Sequence, residues 1–179
     1  MPIFRNAITV IIHPSFQNPN PVANDISLSR LISPVPLSIA VNVIQLPSRS
    51  DSTRSFAGHL LTASGFGWNL YEYPRYLHFT HLVGISDATC AHHHWVFLNT
   101  MICAVGANHA SSTCGGDSVL NMLLNIGGPL VSTSGGIDTL IGVSTFTQTL
   151  QCVNDVQGFM RVDKYLDWIS FYTGIVIRN

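Results

Sequence analysis

Charge is scarce in this 179-residue chain: 9% of its residues are Asp, Glu, Lys or Arg, against roughly 25% in an average globular protein. Eight basic and nine acidic side chains leave a net charge of −1, and Lys164 is the only lysine. With no basic stripe, nucleic acid held through its phosphates is excluded as a partner. Anionic membrane surfaces and acidic partners likewise find little to hold. Low hydrophobicity is also lacking, since 46% of the residues are hydrophobic, and intrinsic disorder is excluded with it. The mean hydropathy is positive, +0.31, yet no run approaches the ~18 consecutive apolar residues of a spanning helix. No Cys-x-x-Cys pair occurs, which removes the usual zinc-ribbon and redox signatures. Residues 1–6 carry no basic region leading into a long apolar core, so no signal peptide is expected. The length suits one domain, or two small ones.

What the chain does have is short apolar segments broken by Pro, Gly, Asn and Ser, the punctuation of many short strands. Residues 7–16 read as a strand rich in β-branched side chains (Ile8, Thr9, Val10, Ile11, Ile12) and stopped at His13-Pro14. Residues 25–31 alternate in the same way, and 37–46 form an extended apolar segment. Further strands fit at 58–64, 101–104, 129–132, 139–146 and 158–162. Only the end looks helical, where Tyr165, Leu166, Trp168, Ile169 and Tyr172 follow a ~3.6-residue period with Asp163 as N-cap. Many strands and one terminal helix predict an all-β barrel or sandwich.

Cysteines stand at positions 90, 103, 114 and 152, an even set that suits disulfides in an oxidising compartment. The neighbouring His92-His93-His94 could suggest a metal. On an extended chain adjacent side chains point to opposite faces, so a solvated loop is the expectation and no metal site or cofactor is assigned. The strongest chemical signal is Cys114-Gly115-Gly116-Asp117-Ser118, with Gly127-Gly128-Pro129 further on. Glycines ahead of a serine let backbone N–H groups converge on an oxyanion without side chains in the way. The plainer reading is a Gly/Ser turn before a strand.

The neighbours shift that balance. Asn24-Asp25-Ile26-Ser27-Leu28, Ala63-Ser64-Gly65-Phe66-Gly67, Met101-Ile102-Cys103-Ala104, the Ser112 to Ser118 segment, and the runs from Leu140 to Phe146 and from Gly158 to Ile169 appear in one order. That order resembles the C-terminal part of a chymotrypsin-like serine protease of the insect digestive type. The resemblance implies the second Greek-key β-barrel of a double barrel, remnant strands of the first, and a C-terminal α-helix. The corresponding domains are residues 1–46 as the remnant, 47–55 as a linker and 56–179 as the second barrel.

By the same resemblance Asp25 and Ser118 are catalytic, and the N–H groups of Gly116 and Ser118 form the oxyanion hole. Ser112, Thr145, Phe146, Thr147 and Gly158 belong to the specificity pocket. Cys90 pairs with Cys103, and Cys114 with Cys152. A neutral Ser112 cannot pair a substrate Lys or Arg, so a preference for large apolar residues is implied. The implied partners are peptide or protein substrates and protease inhibitors, and the implied setting is extracellular.

Two departures bear on catalysis. The family places its histidine in an Ala-Ala-His-Cys block before the aspartate. Only His13 precedes Asp25 here, in a context that resembles a non-catalytic turn, so the general base is expected to be missing. The new amino terminus that would pair with Asp117 is expected to be missing too. Residues 119–126 then separate Ser118 from Gly127, where relatives run straight on. This insertion reads either as an apolar hairpin over the pocket or as a reading-frame fault. The chain as written is therefore expected to be a serine endopeptidase by family but not to hydrolyse. The alternative is a non-catalytic homologue that binds or regulates. With part of a barrel lacking, residues 1–46 are expected to be poorly held, and limited proteolysis to cut first within 1–55.

Overall fold

The computed structural model describes residues 3–17, 23–66, 75–93, 99–108, 127–147 and 156–179. Strands β1 (Ala7–Ile12) and β2 (Ser27–Leu31) form a two-stranded antiparallel ribbon. The expected strand over 7–16 is shorter, because His13 and Pro14 turn the chain and the Phe16 N–H donates back to the His13 carbonyl. The extended segment over 37–46 builds no strand. Among the described residues it makes only the isolated bridges Ser38–Val41 and Gln45–Thr139.

The remaining strands close into a barrel of order β3-β4-β5-β8-β7-β6. They are β3 (Leu60–Gly65), β4 (His78–Gly84), β5 (Met101–Gly106), β6 (Pro129–Ser134), β7 (Ile137–Thr147) and β8 (Gln157–Arg161). All pairings are antiparallel, and β5 passes over β6 and β7 to pair with β8. Closure leaves no barrel edge unpaired. Alternate residues point inward, so Leu61 and Ala63 of β3, Leu82 of β4, Leu130 of β6, Ile141 of β7 and Phe159 of β8 fill one core with Phe56. Gly84 is required by close approach: a Cβ there would collide with the Phe56 carbonyl oxygen.

A second core joins the ribbon to the barrel. Ile26 packs with Met101, Met160, Val162, Tyr165, Leu166 and Ile169, with Leu28 and Leu46 beside them. The Asp25 end of the ribbon is thus anchored, contrary to the expectation of a loosely held segment, while Ile8, Val10 and Ile12 remain exposed.

Two helical expectations are corrected. Helix α1 (Asp87–His93) occupies the stretch read as loop, so His92 and His93 lie on a helix and His94 lies outside the described residues. Its Cys90 is bonded to Cys103 of β5, as the resemblance implied. The terminal helix α2 spans Leu166–Thr173 and ends at Gly174 in the left-handed region, φ 72°. A 3₁₀ turn (Val162–Tyr165) precedes it, and Asp163 is buried inside that turn rather than capping the helix. Its carboxylate receives the Arg161 Nε–H at 2.9 Å, a stronger demand than an N-cap makes.

The polar stretch after Leu46 folds into another 3₁₀ turn (Arg49–Thr53) that is bolted to the C-terminal segment. Arg49 pairs with Asp167 at 2.7 Å, Lys164 donates to the Ser52 carbonyl at 2.8 Å, and Arg161 donates to the Arg54 carbonyl at 3.1 Å.

Candidate active site

Asp25 sits in the turn that enters β2, where the ribbon meets the barrel. Asn24 before it has φ 54°, a left-handed conformation that Asn tolerates better than most residues. Its amide donates to the Ser15 carbonyl at 2.9 Å and its oxygen accepts from Tyr165 Oη at 3.3 Å. After Asp25, buried Ile26 accepts the His13 N–H at 3.1 Å. The residues on either side of Asp25 are therefore held, Asn24 through its side chain and Ile26 through its backbone.

The side chain is fixed from the barrel. Thr145 Oγ1 donates to Asp25 Oδ2 at 2.6 Å, across 120 residues of sequence. Thr145 is buried and Asp25 partly so, so a charge-assisted bond here is little diluted by water. This contact was not legible in the sequence. The resemblance assigns Thr145 to the pocket, and nothing in its spacing marks it as the aspartate's donor.

His13 is occupied elsewhere. Its ring lies 5.3 Å from that of Tyr165 and 5.1 Å from that of Trp168, and Nδ1 accepts the Ser15 N–H at 3.3 Å. Burial holds its pKa below the ordinary value. Burial also raises the Tyr165 pKa, with the nearby Asp25 carboxylate adding to it and a hydrogen bond from Thr100 opposing. Both rings therefore favour the neutral form, as suits a packed aromatic cluster.

Of the other pocket residues, Gly158 pairs in register with Cys103 of β5 and Phe146 of β7. The backbone of Phe146 and Thr147 continues β7 beyond Thr145. Ser112, Cys114, Gly116, Ser118 and Cys152 lie outside the described residues. Among the described residues no group of three His, Cys, Asp or Glu side chains is placed to hold a metal. The described half of the site thus consists of an oriented carboxylate and its donor, beside a strand with a glycine opposite.

A family model described as trypsin matches residues 3–169. Serine protease 1 and Serine protease 2 of Drosophila melanogaster are each 36% identical over 169 residues, which cover 93% of this chain and 58% of theirs. Collagenase of Hypoderma lineatum is 30% identical, covering 96% of this chain and 62% of its own. The chain spans about three-fifths of the length of these relatives. The solved structure of HL collagenase superposes with a TM-score of 0.81 at 30% identity, covering 97% of this chain and 70% of that one.

Proposed function

Since the chain belongs to the trypsin family of serine proteases, we propose that it carries the aspartate and serine of a serine endopeptidase site. The observation that carries this reading is the Thr145–Asp25 hydrogen bond of 2.6 Å. It presents a carboxylate at the seam between ribbon and barrel, with its orientation set from a strand that runs on toward Phe146 and Thr147.

In this reading Asp25 orients a histidine and stabilises its imidazolium, Ser118 attacks the substrate carbonyl, and the Gly116 and Ser118 N–H groups hold the oxyanion. Ser112, Phe146, Thr147 and Gly158 shape a pocket for large apolar side chains, and a Cys114–Cys152 bond ties the serine loop to the pocket wall. Substrates are peptides or proteins, protease inhibitors are the natural ligands of the same groove, and the setting is extracellular and digestive.

The 179-residue chain alone is proposed to be inactive. His13, the only histidine before Asp25, is committed to Tyr165 and Trp168, and residues 119–126 interrupt the serine loop. The purified chain incubated with an aromatic amino-acid ester is expected to show the same rate as its Ser118→Ala variant. Turnover abolished by Ser118→Ala would overturn the inactivity. Saturable binding of a Phe-containing peptide without turnover would favour the second reading, a non-catalytic homologue that uses the groove to bind.

A further inference from the structure

A hollow of about 260 Å³, whose lining does not include Asp25, lies between the Arg49–Thr53 turn, the start of α1, β5 and the end of β8. Arg54, Arg161 and Lys164 line it, so three of the chain's eight Lys and Arg residues converge there, against one carboxylate, Asp87, of nine acidic residues. In a sequence this poor in charge, the convergence calls for a physical reason.

The floor is Phe56. The Arg54 guanidinium carbon lies 5.2 Å from its ring centre and that of Arg161 5.6 Å. Two like charges gathered on one ring repel each other, and the ring's negative face offsets only part of that. Two further acids stand behind these cations: Asp163 accepts from Arg161 at 2.9 Å and lies 3.8 Å from Lys164, and Asp51, which accepts from the Ser48 N–H and hydroxyl at 2.8 Å, lies 3.7 Å from Arg54. Arg161 is nine-tenths buried and directs Nε and Nη2 at fixed acceptors, while Nη1 has no acceptor among the described residues. Lys164 gives one N–H to the Ser52 carbonyl at 2.8 Å, with Asp163 Oδ2 at the longer distance of 3.8 Å. Ser52, Thr53 and Ser55 add hydroxyls and Asn99 an amide, while Ile85 and Ile102 supply an apolar side.

Cations reaching in from three segments match an oxyanion with several equivalent oxygens better than a flat carboxylate, which one Arg fork satisfies. The apolar side suits a short hydrocarbon arm on the anion. We propose that this hollow is a binding site for a small phosphate or sulfate monoester, separate from the protease groove. The anion sits among Arg54, Arg161 and Lys164, and its organic arm lies against Phe56, Ile85 and Ile102.

The test is titration of the 179-residue chain with phenyl phosphate, and separately with inorganic phosphate and inorganic sulfate, at ionic strength held constant with chloride. Calorimetry and the arginine Nε–H signals are the readouts. Phenyl phosphate is expected to bind with a Kd of about 1 mM or tighter, more tightly than either inorganic ion. Lys164→Gln and Arg54→Gln are each expected to weaken it about tenfold, with the circular dichroism spectrum unchanged. If one variant fails to fold, the other carries the comparison. Absence of saturation, equal binding in a folded variant, or equal competition by chloride would each overturn the proposal. Ser118→Ala is expected to bind phenyl phosphate like the parent chain, so the outcome stands independently of the protease reading.

Discussion

The ribbon and the barrel are made of the same material, antiparallel strands rich in β-branched residues, and they meet opposite fates. Ile8, Val10 and Ile12 of β1 are 52%, 57% and 61% exposed, whereas Leu82, Leu130 and Phe159 in the barrel are 0% exposed. Strand propensity is equal on both sides of this contrast. The difference is closure: six strands that return to their starting edge enclose their inward faces, and two strands cannot. Only the end of the ribbon that reaches the second core, at Ile26 and Leu28, shares in the burial. That same end carries Asp25. The anchored part of the ribbon is the part that positions the candidate chemistry, while its far face presents apolar side chains to solvent.

The largest effect expected from this contrast is in the barrel. Phe159→Ala removes a side chain at the centre of the first core and is expected to cost about 3–5 kcal/mol, read as a lower urea midpoint at unchanged slope. A cost below about 1 kcal/mol would mean that the barrel is not the unit that sets stability. Next is the bond between the two regions. Thr145→Val keeps the shape and removes the donor to Asp25, with an expected loss of about 1.5–3 kcal/mol. Proteolytic cutting near Asp25 should become faster while the barrel fragment stays resistant. If Thr145→Val and Asp25→Asn were fully additive, the two groups would not be coupled and the seam would rest on packing alone.

A smaller effect comes from pH. His13 sits at the seam with its folded pKa below its ordinary 6.5 because burial disfavours the cation. The unfolded chain therefore takes up the proton first as pH falls. Stability is fully present above 6.5 and declines as pH drops from there toward the lower folded value. A His13→Gln variant should lose this slope in urea midpoints measured across that window. Persistence of the slope in the variant would assign it to another group.

Most of the barrel is legible in the sequence because its strands alternate and are bracketed by Gly and Pro. β3 and β5 to β8 fall where the pattern puts them. β4 is not legible: His78, Phe79 and His81 of its seven residues are exposed, and only Leu82 and Gly84 are buried. α1 is hidden for a related reason, since it has no apolar stripe and is attached through the Cys90–Cys103 bond. The polar stretch from Ser48 to Arg54 looks like a free linker because its partners Arg161, Lys164 and Asp167 lie more than 100 residues away. At the site, Asp25 stands out by motif, but its donor Thr145 depends on how β7 meets the ribbon, which no local pattern encodes. Asp163 misleads in the same way, carrying a helix-capping side chain that a buried arginine claims.

The smallest expected effect tests the exposed face of the ribbon itself. Val10 lies opposite Ser29 in β2, on the outward face with Ile8 and Ile12. Val10→Thr keeps a β-branched side chain, so the strand preference is retained, and it places a hydroxyl where water already reaches. Stability should therefore change by no more than about 0.5 kcal/mol. Self-association should fall, because the apolar patch is divided by a polar group and, among the described residues, β1 pairs with β2 on one side alone. Urea unfolding and sedimentation at several protein concentrations read the two quantities separately. In limited proteolysis the first cut is expected before Leu46, in parent and variant alike, since the Arg49–Thr53 turn is tied down by Arg161 and Lys164. A loss above about 1 kcal/mol in Val10→Thr would show that this face is covered in solution. The contrast between ribbon and barrel would then be one of partners rather than of closure.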